Sequence, residues 1–548
     1  MPLFLKNMFR LGLVCLLSMS AAYTSIAADA RAGKSRPASP SGKAAERGRA
    51  VIAPDRTLKL AVPSDIVSLD PHVQLSEETL AYSHLVFDPL FRRAADARLE
   101  PRLAERWEQV DPTTIRFYLR KNVKFHSGNT MTAGDVVWTL HRLKSSEEYR
   151  GLFRPFVRAL AVDEHTVDIV TDKPYAMALG VAAYIFVMDS GFYSGMDENG
   201  RTRDVIDKTG LGFAGVNASG TGPFRVESRR QGMEMTLKAF ADYWGPRGNV
   251  GSIRVAVVNN GATRVASLLS GASDMIMSVP TGDYARLKGN KRLQLVVMNS
   301  SRLIIVQMNG KRRKELADPR VREAIVRATD NAAMVRKIMH GHAVPATQQI
   351  PPHMTGHNPE LKPRYNLDKA RRLLQEAGYP DGLELTMISP NNRYVNDEKI
   401  ALTFVGMLAK AGIKVSLRTM PRIRYWDEFG TQSADLQLMG WQDDTEDAGN
   451  FSEYLLMCPD REAGYGKYNS GNYCNRSLDE LVLACQSEFD PDKRAAMLRE
   501  IEKIAYDDAA FVPLHFEPHT WAADARLKNL RQVLNAMNFS YLGDLIME

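Results

Sequence analysis

The chain is an α/β protein of more than one domain. Three observations predict this. Its 548 residues exceed what one hydrophobic core holds together. Short β-branched runs alternate with segments of helical period. Glycine and proline punctuate the joins between them. Hydrophobic residues make up 44% and charged residues 25%, the balance of a globular chain.

The elements follow in order. Strand-like Thr57–Val62 leads into the loop that ends at Asp70-Pro71, and Ser76 is placed to cap a helix. Residues 86–91 read as a strand or turn. In Ile115, Phe117 and Leu119 the apolar side chains fall on alternate positions, the period of a half-buried strand. His126-Ser127-Gly128-Asn129 supplies a turn. Thr132 stands three residues before Asp135, the spacing of a capping box, and Val136, Val137, Leu140 and Leu143 continue at helical spacing. Residues 166–170 add a hairpin strand, and the turn Thr221-Gly222-Pro223 opens a strand at Phe224.

Alternation then sets in. Strands are expected at 253–258, 274–277 and 303–308, with a short helix at 263–269. Asp318-Pro319 opens a helix whose Val321, Ala324, Ile325 and Ala328 share one face, with proline where its missing N–H costs nothing. Helices are expected at Leu367–Glu376, 397–411, 477–485 and 492–507, and strands at 383–388, 413–417, Leu436–Trp441 and 512–516.

The first 28 residues read as a signal peptide. Lys6 and Arg10 precede the apolar run 11–18, and Ser25, Ala27 and Ala28 offer a cleavage site. The run is too short to span a bilayer. Cys15 follows Val14, not the small residue of a lipoprotein box, so a cleaved, exported protein is expected. Residues 29–55, rich in Ala, Gly, Pro, Ser, Lys and Arg, read as a flexible linker. Export makes a disulfide between Cys458 and Cys474 the preferred reading, with two free thiols as the alternative. Cys485 lies in an apolar helical pattern and reads as a buried small hydrophobe.

A net charge of +7 is spread among Asp and Glu with no basic stripe interleaved with aromatics, which argues against nucleic acid as partner. No P-loop, His-Glu-x-x-His or Gly-x-Ser-x-Gly signature occurs, so no enzyme and no cofactor is expected. The pairs His340/His342, His353/His357 and His515/His519 lie in no metal motif, and loop or core histidine is the default.

The string FHSGNTMTAGDVVWTLHR (125–142) resembles a signature of the peptide- and nickel-type extracellular solute-binding proteins of ABC importers, family 5. GTGPFRV (220–226) and residues 317–352, 365–387 and 440–451 are similar to further segments of that family, in the same order. The resemblance implies a bilobal periplasmic-binding-protein fold of the large type, class II or cluster C, with an extra subdomain inserted in the first lobe. The expected pieces are 56–93, 94–222 (the insertion), 223–311 and 511–548 for lobe 1, and 312–510 for lobe 2, with crossovers near Gly310 and Val512. It implies a periplasmic, monomeric protein that captures a small peptide or similar amine-bearing solute between its lobes. Its partners would be ABC permease subunits with separate ATPases. The alternatives are an opine, glutathione, a nickel chelate or haem as ligand, or an exported hydrolase.

The same resemblance marks site residues. Asp444, in the Gly-Trp-x-x-Asp-x-x-Asp loop, matches the aspartate that binds a peptide's amino group; a solvated acidic turn is the alternative. Asp443 and Ala448 depart from the family pattern, which leaves room for a more cationic ligand. Trp441 would wall the pocket or belong to the core. Arg393 matches the region that holds a ligand carboxylate, for which a guanidinium fork is suited. Tyr394 and Asn391 are its weaker neighbours, and Arg302 lies where family ligands approach.

Overall fold

The computed structural model describes residues 56–95, 98–442 and 448–548. The expected signal peptide and linker lie outside the described residues. So does 443–447, which includes Asp444.

An 11-stranded mixed sheet runs through the molecule. Its two central strands, Leu293–Met308 and Val512–Asp524, are antiparallel and unusually long, at 16 and 13 residues. On one side of this pair stand Leu436–Trp441, Leu383–Pro390 and Ile413–Met420; on the other stand Met275–Met277, Thr57–Val62, Ser252–Val257, Glu234–Ala239 and Phe224–Arg230. Val344–Pro345 pairs with Val512–Asp524 off this path.

Two bodies are built on that sheet. Up to Val296 and again from Trp521, the two long strands contribute to the core that holds Leu58, Phe87, Phe117 and Ile253. From Leu303, and back as far as Phe516, they contribute to the cores around Ile325, Phe404, Met439 and Leu498. The ladder is irregular between Asn299 and Leu303, where the core changes. This change lies upstream of Gly310 on one strand and downstream of Val512 on the other.

Local chemistry accounts for the elements. The Asp135 carboxylate accepts the Thr132 N–H at 2.8 Å, so the capping box starts the helix Ala133–Ser145. Asp318 accepts the Arg320 N–H at 2.8 Å at the start of Pro319–Ala328. Val321, Ala324, Ile325 and Ala328 are all buried there, each larger apolar side chain worth roughly 1.5–3 kcal/mol. The Gly220-Thr221-Gly222 turn lies against the end of the helix Glu77–Val86, whose Val86 carbonyl accepts the Gly222 N–H at 3.0 Å. A Cβ at Gly222 would meet that backbone at 2.5 Å, so the turn excludes any side chain there.

A four-stranded antiparallel sheet, in the order Ala104–Asp111, Thr114–Leu119, Thr166–Thr171, Phe156–Asp163, occupies the expected insertion. Its buried Phe117, Ile169 and Phe156 join the first core. Residues 86–91 do not form one strand: the helix ends at Val86, and Phe91–Arg93 pairs with Leu99–Pro101. Cys458 and Cys474 are joined as a disulfide, and Cys485 is buried.

Candidate functional site

Arginines from the second body meet carboxylates from the first where the core changes. Ser76 caps the helix Glu77–Val86 and puts Glu77 and Glu78 in its first turn. Opposite stand Arg302, in the irregular stretch of the long strand, Arg393, after the strand Leu383–Pro390, and Arg422, at the start of the helix Arg422–Gly430.

Glu78 Oε1 accepts Arg422 Nη1 at 3.1 Å and Ser64 Oγ at 2.8 Å, and lies 3.6 Å from Arg393 Nη1. Burial pushes the Glu78 carboxyl up, but Arg393 and Arg422 together outweigh it and hold it down at about 2. Arg302 is buried and pairs with Glu77; its Nη1 is 3.8 Å from Glu517 Oε1 and its Nη2 donates to Gln442 Oε1 at 3.4 Å. Burial lowers Arg302 to about 10, with Glu517 opposing. His519 Nε2 lies 2.9 Å from the same Gln442 oxygen, and burial drives that imidazole well below its ordinary value, toward the neutral form.

The loop that carries Arg393 is fixed by its own backbone. Asp397 accepts the N–H groups of Arg393 at 2.8 Å and Tyr394 at 3.0 Å, and Glu517 accepts that of Val395 at 3.3 Å. Tyr394 donates its hydroxyl to the Gly440 carbonyl at 3.3 Å. A Cβ on Gly440 would stand 2.7 Å from the Tyr394 ring, so the close fit of ring on strand requires glycine. Trp441 follows, half-buried. Its indole N–H donates to Asn450 Oδ1 at 2.9 Å, and its rings lie 5.4 Å from Tyr454 and 5.1 Å from Tyr468. The tryptophan is thus held in an aromatic cluster that packs against the core of the second body.

The structure therefore brings Arg302, Arg393, Tyr394 and Trp441 to one region. Asn391 is exposed and uses its backbone N–H on the Met420 carbonyl at 3.0 Å. Asp444 lies outside the described residues, directly after Gln442 and Asp443. Nothing in the sequence marks Glu77, Glu78, Glu517, Arg422 or Gln442 for this site, and His519 stands out there only as half of a histidine pair weighed for metal. The acidic pair after the Ser76 cap was legible only as a helix start.

A second set of contacts joins the two bodies through other residues. Arg154 Nη2 donates to Glu453 at 2.9 Å and its guanidinium covers the Tyr465 ring at 4.1 Å. Tyr468 donates to Glu148 at 3.3 Å. Tyr465 and Tyr468 belong to the loop that the disulfide closes. No group of three His, Cys, Asp or Glu side chains among the described residues is arranged to hold a metal. His342 packs on Tyr284 with ring centroids 4.5 Å apart, and His515 is buried in the sheet.

Residues 98–462 match the bacterial extracellular solute-binding proteins, family 5 Middle. The chain belongs to this family. This solute-binding protein is 27% identical over 470 residues to the dipeptide-binding protein of Escherichia coli (strain K12), covering 78% of this chain and 85% of the relative. It is also 27% identical over 484 residues to the glutathione-binding protein GsiB of Salmonella choleraesuis, covering 86% and 90%. The dipeptide-binding protein of a Pseudoalteromonas species, solved with Met-Leu, superposes with a TM-score of 0.81 at 21% identity, over 90% of this chain and all of the other. That likeness gives the bilobal fold to the two bodies described above. As a member, the chain is the solute-capturing component of an ABC import system and hands its solute to a membrane permease. No helix among the described residues is long and apolar enough to cross a membrane itself.

Proposed function

We propose that this solute-binding protein works in the periplasm, closing its lobes on a small peptide or a similar amine-bearing solute. The observation that carries the reading is the convergence of Arg302, Arg393 and Arg422 on Glu77, Glu78 and Glu517, between two separately cored bodies. A site between domains that move against each other holds a ligand by contacting both. Guanidiniums supply a partner for a peptide's carboxylate. The Nε of Arg393 is buried and has no hydrogen-bond partner among the described residues, so this arginine keeps a donor in reserve. Asp444 is assigned the peptide's amino group. Trp441 and Tyr394 are assigned its side-chain surface, and Asn391 a place at the rim. In this reading residues 1–28 are the export signal and 29–55 a tether. Lobe 1 is assembled from 56–93, 94–222, 223–311 and 511–548, and lobe 2 is 312–510. Relatives named for dipeptides and for glutathione support a peptide-like solute with a free amine.

The test is native mass spectrometry of the mature protein from its own host, followed by denaturation to release small molecules. A co-purifying peptide of a few residues is expected. A metal chelate, an opine or haem in its place, with no dipeptide bound in a thermal-shift screen, would overturn the peptide reading.

A further inference from the structure

The contact between Glu78 and the arginines is incomplete. One oxygen, Oε1, serves Ser64, Arg422 and Arg393 together, while Oε2 is buried with no hydrogen-bond partner among the described residues. On the other side Arg393 Nε is also buried and without a partner. A guanidinium and a carboxylate that meet well form two parallel N–H···O bonds and leave no such atoms behind. Here the geometry is single-point, at 3.1 and 3.6 Å, although both groups are desolvated and their side chains are 18% and 17% exposed. Polar groups in the interior are normally satisfied. A matched pair of orphans, one acceptor and one donor in the same cluster, marks a partnership that another carboxylate can improve on.

The placement adds to this. Glu78 reaches from lobe 1, and Arg393 and Arg422 belong to lobe 2, with Glu78 and Arg422 separated by 344 positions in the chain. The Arg393 loop has independent supports, through Asp397 and through Asn396 Nδ2 on Thr281 Oγ1 at 3.2 Å. Arg422 is held by its N–H on Asn392 Oδ1 at 2.8 Å. The backbone that carries each arginine is therefore held without Glu78.

Resting on the proposed function above, we propose that Glu78 is a built-in rival for the ligand's carboxylate at Arg393 and Arg422. Its carboxylate draws the lobes together when no ligand is there, and a ligand with a free carboxylate gains these arginines only by displacing it. Glu78 thus sets the preference between solutes that carry such a group and those that do not.

The experiment compares wild type with Glu78→Gln in mature protein stripped of ligand by unfolding and refolding. Spin labels at the exposed Met233 and Leu402, 62% and 58% accessible, report the distance between lobes. The variant is expected to lose at least threefold in the short-distance population. Calorimetry with a pool of dipeptides and with the same pool as C-terminal amides is the second readout. The ratio of free-acid to amide affinity is expected to rise at least tenfold in Glu78→Gln. An unchanged distance distribution, or equal weakening of both pools, overturns the proposal. If neither pool binds wild type or variant, the peptide reading fails by itself. The distances then decide on Glu78 alone: an opened population upholds its role and an unchanged one ends it.

Discussion

Glu502 is a buried acid whose replacement makes the stability of this protein less sensitive to pH. It lies on the helix Pro491–Asp507 and is 1% exposed. Its Oε2 accepts the Gln349 N–H at 3.0 Å, and its Oε1 has no partner among the described residues. Burial raises the carboxyl from 4.5 to about 8, against the opposing pull of the Gln349 and Ile350 N–H groups. A folded value above the unfolded one means that the contribution is whole below pH 4.5. It is lost as pH rises toward 8, because the unfolded chain releases the proton first. One pH unit in that window corresponds to about 1.4 kcal/mol. Between pH 5 and pH 7 the carboxyl therefore costs the fold about 3 kcal/mol. Glu502→Gln keeps an oxygen for the Gln349 N–H and cannot ionise. Burial holds His515 down at about 4 and so tilts the curve the other way between pH 4 and 6.5, but it is common to both proteins. Only the difference between them is diagnostic. Urea unfolding followed by tryptophan fluorescence at pH 5, 6, 7 and 8 measures it. The variant's stability relative to wild type is expected to grow by about 3 kcal/mol from pH 5 to pH 7. An offset that is the same at every pH would refute the reasoning.

Two further outcomes are expected. Asp444→Ala weakens dipeptide binding at least tenfold in calorimetry while leaving the melting temperature of the unliganded protein nearly unchanged; equal affinity would remove Asp444 from the site. Replacing Cys458 and Cys474 together by serine lowers unfolding stability by about 3 kcal/mol, the chain-entropy value for a loop of this length; a denaturation midpoint equal to wild type would contradict it.

Much of the local structure was legible in the sequence, because it depends on neighbours. Thr132 with Asp135 and Asp318 with Pro319 announce their helices through caps that need only three or four residues. The long central strands were read short for the opposite reason. Asn299-Ser300-Ser301-Arg302 looks like a loop, and His515, Glu517 and His519 interrupt an apolar run. Pairing on either side of the break carries the two strands through it, the Ser300 hydroxyl donates to the Glu517 carbonyl across the gap, and the meeting of two lobes buries these polar groups. The site divides in the same way. Arg302, Arg393, Tyr394 and Trp441 were marked by resemblance. Glu77, Glu78 and Arg422 carry no local signal, since each acquires its role from a partner hundreds of residues distant.

The irregular stretch from Asn299 to Leu303 also bears on how the two bodies can turn against each other. Lobe rotation turns about an axle, and atoms sweep through distances proportional to their radius from it. Arg302 and Glu517 sit at the break itself and are nearly stationary under such a rotation. The Arg393 loop is tied to the same break, through the Val395 N–H on the Glu517 carboxylate. Turning about this stretch would leave the polar cluster built on it almost at its resting distances, while parts remote from it travel furthest.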